Sequence, residues 1–362
     1  MRNSPRSPVA AALQPFVDRG WIAGAVALVA NKECILAVDA VGYANLARKR
    51  RMTPDSLFWI ASVTKPITGA AFMMLVDEGK VRIGDPVEKH LPEFADLRVV
   101  AKRTKARTVL VRPKRKITLR DILTHTSGMP LFSPLEKPTL DLLPLAVAAG
   151  SYAMTPLESQ PGCRYTYSNC GINTAGRIIE VFSGVPYEEF LARRLFNPLG
   201  MKDATFVPTR AQLARLADPH QPNPAKTRLV ETRIPYLKYP LDDPSRHGFP
   251  GGGLFCTARD LARFAQMILR GGVFGGRRYL SRAAIRQMTR RQTPPHIENG
   301  YGLGWLVEKD VFGHGGSLGS KMMIYPKRDL ITIFLFQHAD CLGDGAKAFE
   351  TFKKVAFDTY GA

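Results

Sequence analysis

The stretch Phe58-Trp59-Ile60-Ala61-Ser62-Val63-Thr64-Lys65-Pro66 decides how this chain is read. From Ile67 onward Ile67, Ala70, Ala71, Met74 and Leu75 recur at helical spacing and Gly79 supplies a stop, so the stretch runs into a helix. Ser62 and Lys65 stand three apart at its start, where residues share a helix face and a hydroxyl can meet an amine. A helix start also leaves N–H groups unpaired at the positive end of the dipole, close enough to hold a developing oxyanion. An apolar surround would disfavour the ammonium form and leave a neutral amine available as base. Pro66 removes an N–H and disfavours α geometry at Lys65, which requires an irregular first turn. Alone, S-x-x-K is common, and a plain N-cap serine is then the better account of it.

Two further clusters lie downstream. Tyr167-Ser168-Asn169 follows Pro161-Gly162 and precedes a helical run at 172–182, placing it on a loop entering a helix. A tyrosine beside a lysine can shuttle a proton, and an asparagine offers a donor and an acceptor to an ester or amide. His314-Gly315-Gly316 precedes a strand-like run at 321–325, where glycines on an edge let a substrate carbonyl approach the backbone. Each has a bland reading of its own, a packed tyrosine in a turn and a structural histidine.

The surrounding pattern gives the architecture. Apolar strand-like runs at 24–30 and 34–40 flank Asn31-Lys32-Glu33 as a hairpin, and further strands are expected at 303–307, 321–325 and 330–336. Helices are expected at 172–182, 187–196, 261–269 and 346–359. Strands near both ends with helices between them indicate an α/β chain of α+β type. The expected division is a discontinuous domain, residues 1–84 and 246–362, with a mainly helical insertion at 85–245 and the active site between them.

Composition narrows the function classes. The chain has 362 residues, 45% hydrophobic and 23% charged, enough to build a core without disulfides or a metal. No apolar run reaches the roughly 18 residues of a membrane span. The formal net charge is +20, and half of it comes from residues 98–120, which carry ten basic residues and no acidic one. The plain reading is a solvated basic loop or helix face. No aromatic residue interleaves it, so nucleic acid is not an expected partner. The five cysteines and seven histidines are dispersed without ligand spacing, so neither a metal nor another cofactor is expected. Buried free thiols in a reducing compartment are the default, which favours the cytoplasm. A periplasmic or secreted location would follow if a signal peptide had been removed.

Taken together, the three clusters resemble the serine β-lactamase and penicillin-binding-protein superfamily, in particular the class C β-lactamase-like branch that includes class VIII esterases. Matching stretches are Leu123-Thr124-His125-Thr126-Ser127-Gly128, Gly251-Gly252-Gly253-Leu254, Tyr301-Gly302-Leu303-Gly304-Trp305 and His314-Gly315-Gly316-Ser317-Leu318-Gly319. The resemblance implies a mostly antiparallel sheet built from both termini, flanked by helices, with a helical domain beside it. It implies Ser62 as nucleophile, Lys65 as its base or proton relay and Tyr167 as general acid/base partner. Asn169, His314, Gly315 and Gly316 would contact substrate, and the N–H groups of Ser62 and Ser317 would form the oxyanion hole. Histidine stands where these enzymes place the lysine that holds a penicillin carboxylate. Short-chain esters are therefore expected to be better substrates than β-lactams, with the attraction of His314 for such a carboxylate growing as pH falls.

One rival nucleophile lies in the same region. Gly315-Gly316-Ser317-Leu318-Gly319 spells G-x-S-x-G, but a nucleophile elbow needs a strand, a sharp turn and then a helix. Here a strand-like run follows, and only 45 residues remain after Ser317. The alternatives are a β-lactamase or D-amino-acid peptidase, a receptor acylated but never released, or a polyanion-binding protein.

Overall fold

The computed structural model describes residues 7–361. Its centre is β1 (Gly24–Ala30), whose seven residues are all buried. That continuous apolar run marks a strand covered on both faces, and the packing follows its two-residue period. Val26, Leu28 and Ala30 enter one core. Ala25, Ala27 and Val29 enter another, shared with α1 (Pro8–Asp18) and α5 (Ala348–Tyr360). β1 pairs antiparallel with β2 (Ile35–Asn45), which continues to β3 (Arg50–Arg51). The C-terminal strands are β4 (Leu306–Glu308), β5 (Val311–Gly315), β6 (Lys321–Tyr325) and β7 (Leu330–Leu335). The sheet runs β4-β5-β6-β7-β1-β2-β3, antiparallel throughout, and is closed in the middle by Val26↔Leu335 and its neighbours. The large antiparallel sheet built from both ends of the chain is therefore as expected.

The helix that begins at the S-x-x-K stretch is α2 (Thr64–Asp77), buried at every position from Thr64 to Leu75. A helix apolar on all sides belongs inside a molecule, and α2 is wrapped by the other elements. A 3-10 turn, Ala61–Val63, leads into it. This is the irregular entry Pro66 requires, and Pro66 then occupies the first turn, where a missing N–H costs nothing. Gly69 lets α2 press against the chain at Leu303, since a β-carbon there would sit 2.2 Å from the Leu303 carbonyl oxygen. Behind the sheet, α4 (Ala258–Leu269) packs on β1 and β7 and starts at an N-cap, Thr257.

Residues 85–245 hold the helices Leu119–Leu123, Leu145–Ala153 and α3 (Asn169–Ser183). A further helix, Tyr187–Leu191, continues through a π turn at Ala192–Phe196. Two hairpins lie in the same segment, Val99–Arg103 with Thr108–Val111 and His220–Pro222 with Leu229–Glu231. One buried cluster runs unbroken from Val26 and Leu28 through Ile67 to Ile172 and Phe190.

Several expectations need correction. The basic segment is a β-hairpin at its start rather than a loop or helix face. The strand expected at 303–307 begins at Leu306, because Gly302 and Leu303 are taken up by contacts with Met288 and Trp305. Cys34 and Cys163 are exposed, so only Cys170 and Cys256 fit the buried-thiol default, with Cys341 between. Helix α1 was not anticipated, although Ser7 caps it, Pro8 opens it, and Val9, Leu13 and Phe16 give its buried stripe.

Gly69→Ala should destabilise the fold by about 1–3 kcal/mol through overpacking against Leu303. The urea midpoint measures this, and an unchanged midpoint would show that α2 and the Leu303 segment can separate freely.

Candidate active site

The turn bearing Ser62 is pinned from two sides. Strand Phe58–Trp59 pairs with Phe255–Cys256, and the Ile60 N–H donates to Leu254 O at 3.0 Å. The Trp59 indole N–H donates to Gly252 O at 2.7 Å, and Gln337 donates to Trp59 O at 2.9 Å. Ala61 then takes a left-handed φ of 47° just before Ser62. Such a conformation is costly for a residue with a β-carbon, and the surrounding bonds hold it in place. Ser62 is left half-exposed on an otherwise buried turn.

Lys65 is fully buried. Its Nζ lies 3.1 Å from Ser62 Oγ, 2.8 Å from Asn169 Oδ1 and 2.5 Å from Gly251 O. It also lies 4.6 Å from the centre of the Tyr167 ring. All three bonded partners are neutral, and burial alone holds the Lys65 amine well below its ordinary value. Lys65 is thus kept from water by partners that are polar but uncharged.

Tyr167 sits on an extended segment stitched to the 125–131 loop. The Thr166 N–H donates to His125 O, the Ser168 N–H to His125 Nδ1 and the Asn169 N–H to Leu131 O. Ser168 caps α3 by accepting from the Gly171 N–H at 3.0 Å, which aims Asn169 from the first turn toward Lys65. Burial pushes the Tyr167 phenol up to about 12, with Ser62 opposing the shift, so the resting group is protonated. The His125 ring lies beside it, its centre 4.4 Å from that of Tyr167, and the Tyr301 ring lies 4.6 Å from that of His125.

His314 departs from expectation. It lies on β5 with its ring buried, Nδ1 2.6 Å from Gly315 O and Nε2 2.8 Å from the Tyr301 hydroxyl. Donation of the Nδ1 proton to Gly315 O leaves Nε2 to accept from Tyr301. Burial, then the neighbouring Lys65, lower it to about 3. It is therefore neutral at any ordinary pH, and its attraction for a carboxylate does not grow between pH 8 and 5. Gly315 is open, whereas a β-carbon on Gly316 would sit 2.3 Å from Ile60 O, so Gly316 serves close packing of the two turns. Ser317 is exposed and begins a 3-10 turn, Ser317–Gly319, that leads into β6. No helix follows it, and His338 instead accepts from the Ala23 N–H.

The groups that hold Lys65 from behind were not singled out in the sequence. The Gly251 N–H donates to Asn173 Oδ1 at 2.9 Å, so Asn173, one turn beyond Asn169 on α3, fixes the carbonyl that Lys65 grips. Asn173 Nδ2 donates to the Tyr152 hydroxyl at 2.9 Å, and Tyr152 donates to the buried Glu136 carboxyl. On the other side the Thr68 hydroxyl donates to Pro250 O at 2.9 Å. The i, i+4 pair Asn169 and Asn173 was the only visible signal.

A sequence model described as Beta-lactamase matches residues 9–351. The chain belongs to that family. Among its family relatives, Protein Rv1367c of Mycobacterium tuberculosis is 32% identical over 93% of this chain and 91% of its own. A putative D-alanyl-D-alanine carboxypeptidase of Salmonella typhimurium is 27% identical over 89% of this chain and 80% of its own. Among solved structures, EstCE1, a hydrolase with promiscuous acyltransferase activity, superposes with a TM-score of 0.81 at 22% identity, covering 97% of each chain. Simvastatin synthase (LovD) from Aspergillus terreus gives 0.80 at 22% identity, covering 98% of this chain and 99% of its own. The architecture is the β-lactamase/transpeptidase-like fold.

Asn173→Ala should cost about 1–3 kcal/mol by leaving the Gly251 N–H and the Tyr152–Glu136 pair short of partners. Chemical denaturation reads this out, and a loss under about 0.5 kcal/mol would mean water replaces the amide.

Proposed function

We propose that the chain is a serine hydrolase working through an acyl-enzyme on Ser62, acting as a carboxylesterase on short-chain esters. The observation carrying this reading is Lys65, buried without a carboxylate partner among the described residues and within hydrogen-bond reach of Ser62. A neutral amine has two protons and one lone pair. With Asn169 Oδ1 and Gly251 O taking the protons, the lone pair faces the Ser62 hydroxyl and can accept its proton.

The steps then follow. Ser62 Oγ attacks the ester carbonyl as its proton passes to Lys65, and the oxyanion is held by the N–H groups of Ser62 and Ser317. Tyr167, a neutral phenol, relays a proton to the departing alkoxide, which leaves as the alcohol, and Lys65 ends neutral. Water reverses the sequence and frees the acid. Asn169 keeps its Nδ2 protons for the substrate because its oxygen is engaged by Lys65. The reacting groups come from residues 1–84 and 246–362 on one side and 85–245 on the other, in line with the proposed two-part organisation.

An ester is preferred because its leaving group needs little protonation and the site offers no cation at position 314. His314 is neutral and turned toward Tyr301. The Salmonella relative supports a second reading, a D-amino-acid peptidase with the same acyl-enzyme.

Ser62→Ala and Lys65→Ala should each abolish turnover of p-nitrophenyl acetate with the fold retained, and the double variant should be hardly worse than either. Tyr167→Phe should lose about 10²–10⁴-fold in kcat. Most activity surviving in Ser62→Ala, with Ser317→Ala inactive, would overturn the assignment. Efficient hydrolysis of a cephalosporin or D-alanyl peptide, exceeding the best ester in kcat/KM, would replace the esterase reading.

The pH profile has a stated sign. Lys65 must be neutral, so the rate falls as pH drops through its lowered pKa. His314 at about 3 and Tyr167 at about 12 add no limb in the neutral range. One acid-side limb is expected in kcat/KM, lying below the ordinary lysine range. A limb that disappears in His314→Gln would assign it to the histidine instead.

A further inference from the structure

The ten basic residues between 98 and 120 have no part in the site, and the fold gives them a shape of their own. Strands Val99–Arg103 and Thr108–Val111 form a hairpin with Val100 opposite Leu110 and Lys102 opposite Val109. Its base is anchored, since Val99 is buried and the Val100 N–H donates to Leu157 O at 2.9 Å. Beyond that root every residue from Ala101 to Arg112 is exposed, so the hairpin stands out from the body.

Within the segment, Arg98, Arg115 and Lys116 are neutralised by Asp96, Asp121 and Glu88. Lys102, Arg103, Lys105, Arg107, Arg112 and Lys114, on the hairpin and its exit, form no ion pair among the described residues. Among these cations lie three consecutive aliphatic residues, Val109, Leu110 and Val111, each about two-fifths exposed at 39%, 42% and 40%. Met154, 85% exposed, lines a shallow cleft with Leu110.

Charge on an exposed edge strand commonly guards against strand pairing, which would explain a lysine or two. It does not explain six unpaired cations beside a run of exposed aliphatics. Nucleic acid would use the cations but has no partner for Val109, Leu110 and Val111, and the segment has no aromatic ring for a base to stack on. A bilayer with anionic headgroups uses both. Phosphate groups meet the cations, aliphatic side chains reach the acyl boundary, and long basic side chains lie along it with their heads in the phosphate layer.

We propose that this hairpin docks the protein on an anionic lipid surface. The docking is peripheral, as no helix among the described residues is long and apolar enough to cross a membrane. It stands independently of the catalytic reading.

Co-sedimentation of the full chain with vesicles tests it. Binding is expected to equal-part phosphatidylglycerol/phosphatidylcholine vesicles at 50 mM salt, to be absent with phosphatidylcholine alone, and to be released by 500 mM salt. Replacing Lys102, Arg103, Lys105 and Arg107 by Gln should lower partitioning about 10²–10³-fold. Val109→Ser with Leu110→Ser and Val111→Ser should lower it at least about tenfold with the charge intact. Replacing Arg277, Arg278, Arg282 and Arg286 by Gln removes equal charge elsewhere and should change it less than about threefold. Thermal unfolding checks that each variant is folded. A loss in that last variant as large as in the hairpin variant would reduce the effect to net charge and overturn the proposal. Unchanged binding of the triple serine variant would overturn it as well, and so would tighter binding to duplex DNA or heparin than to vesicles.

Discussion

A lysine amine sealed from water, with neutral oxygens for company, is the constraint on which the rest of the molecule depends. Burying an ammonium without a counter-charge costs more than a fold can commonly spare, so the group gives up its proton instead. That outcome holds only while the surroundings stay dry and aligned. Helix α2 supplies the dryness, being covered on every side. The Gly251 carbonyl and Asn169 supply the alignment. Each of these is held in turn, Asn169 by the capped start of α3 and Gly251 by Asn173 and the Thr68–Pro250 contact. The polar chain ending at Glu136 lies far from Ser62 in sequence, yet it bears on where one nitrogen sits.

The same low-dielectric environment acts on every titratable ring near Lys65. It holds His314 and His125 neutral and keeps the phenols of Tyr167 and Tyr301 protonated. The site thus assembles a buried amine, phenols and imidazoles, each biased by burial toward its uncharged form. Charge would appear there only during reaction, where fixed N–H groups and dipoles stabilise it most.

Much of this was legible because it is local. Ser62 and Lys65 meet through helix spacing, Asn169 stands where a loop enters a helix, and β1 and β7 are visible as mainly apolar runs. The parts that escaped depend on contacts between distant segments. Nothing in the neighbourhood of Gly251 announces that its carbonyl accepts from Lys65, because the two are 186 residues apart. The pH response of His314 was misjudged for the same reason, since its burial beside Tyr301 and Lys65 decides its charge. The basic segment read as solvated, and it is. Its β pairing was hidden because lysines and arginines replace the alternation that marks a half-buried strand.

The pairing of β1 with β7 has a consequence for how the protein is made. The central strand is made some 300 residues before its partner at Leu330–Leu335. Contacts of such separation form slowly and only after much loop entropy is lost. Until Leu330–Leu335 is made, the seven apolar residues of β1 lack one neighbour. The Ser62 turn likewise lacks Gly316 and Ser320, which later abut it at Ile60. Over that interval the nascent chain carries an apolar strand with an unpaired edge. A permuted order in which β7 directly precedes β1, with the adjacent helices α1 and α5 joined, would let the central strands be translated in succession.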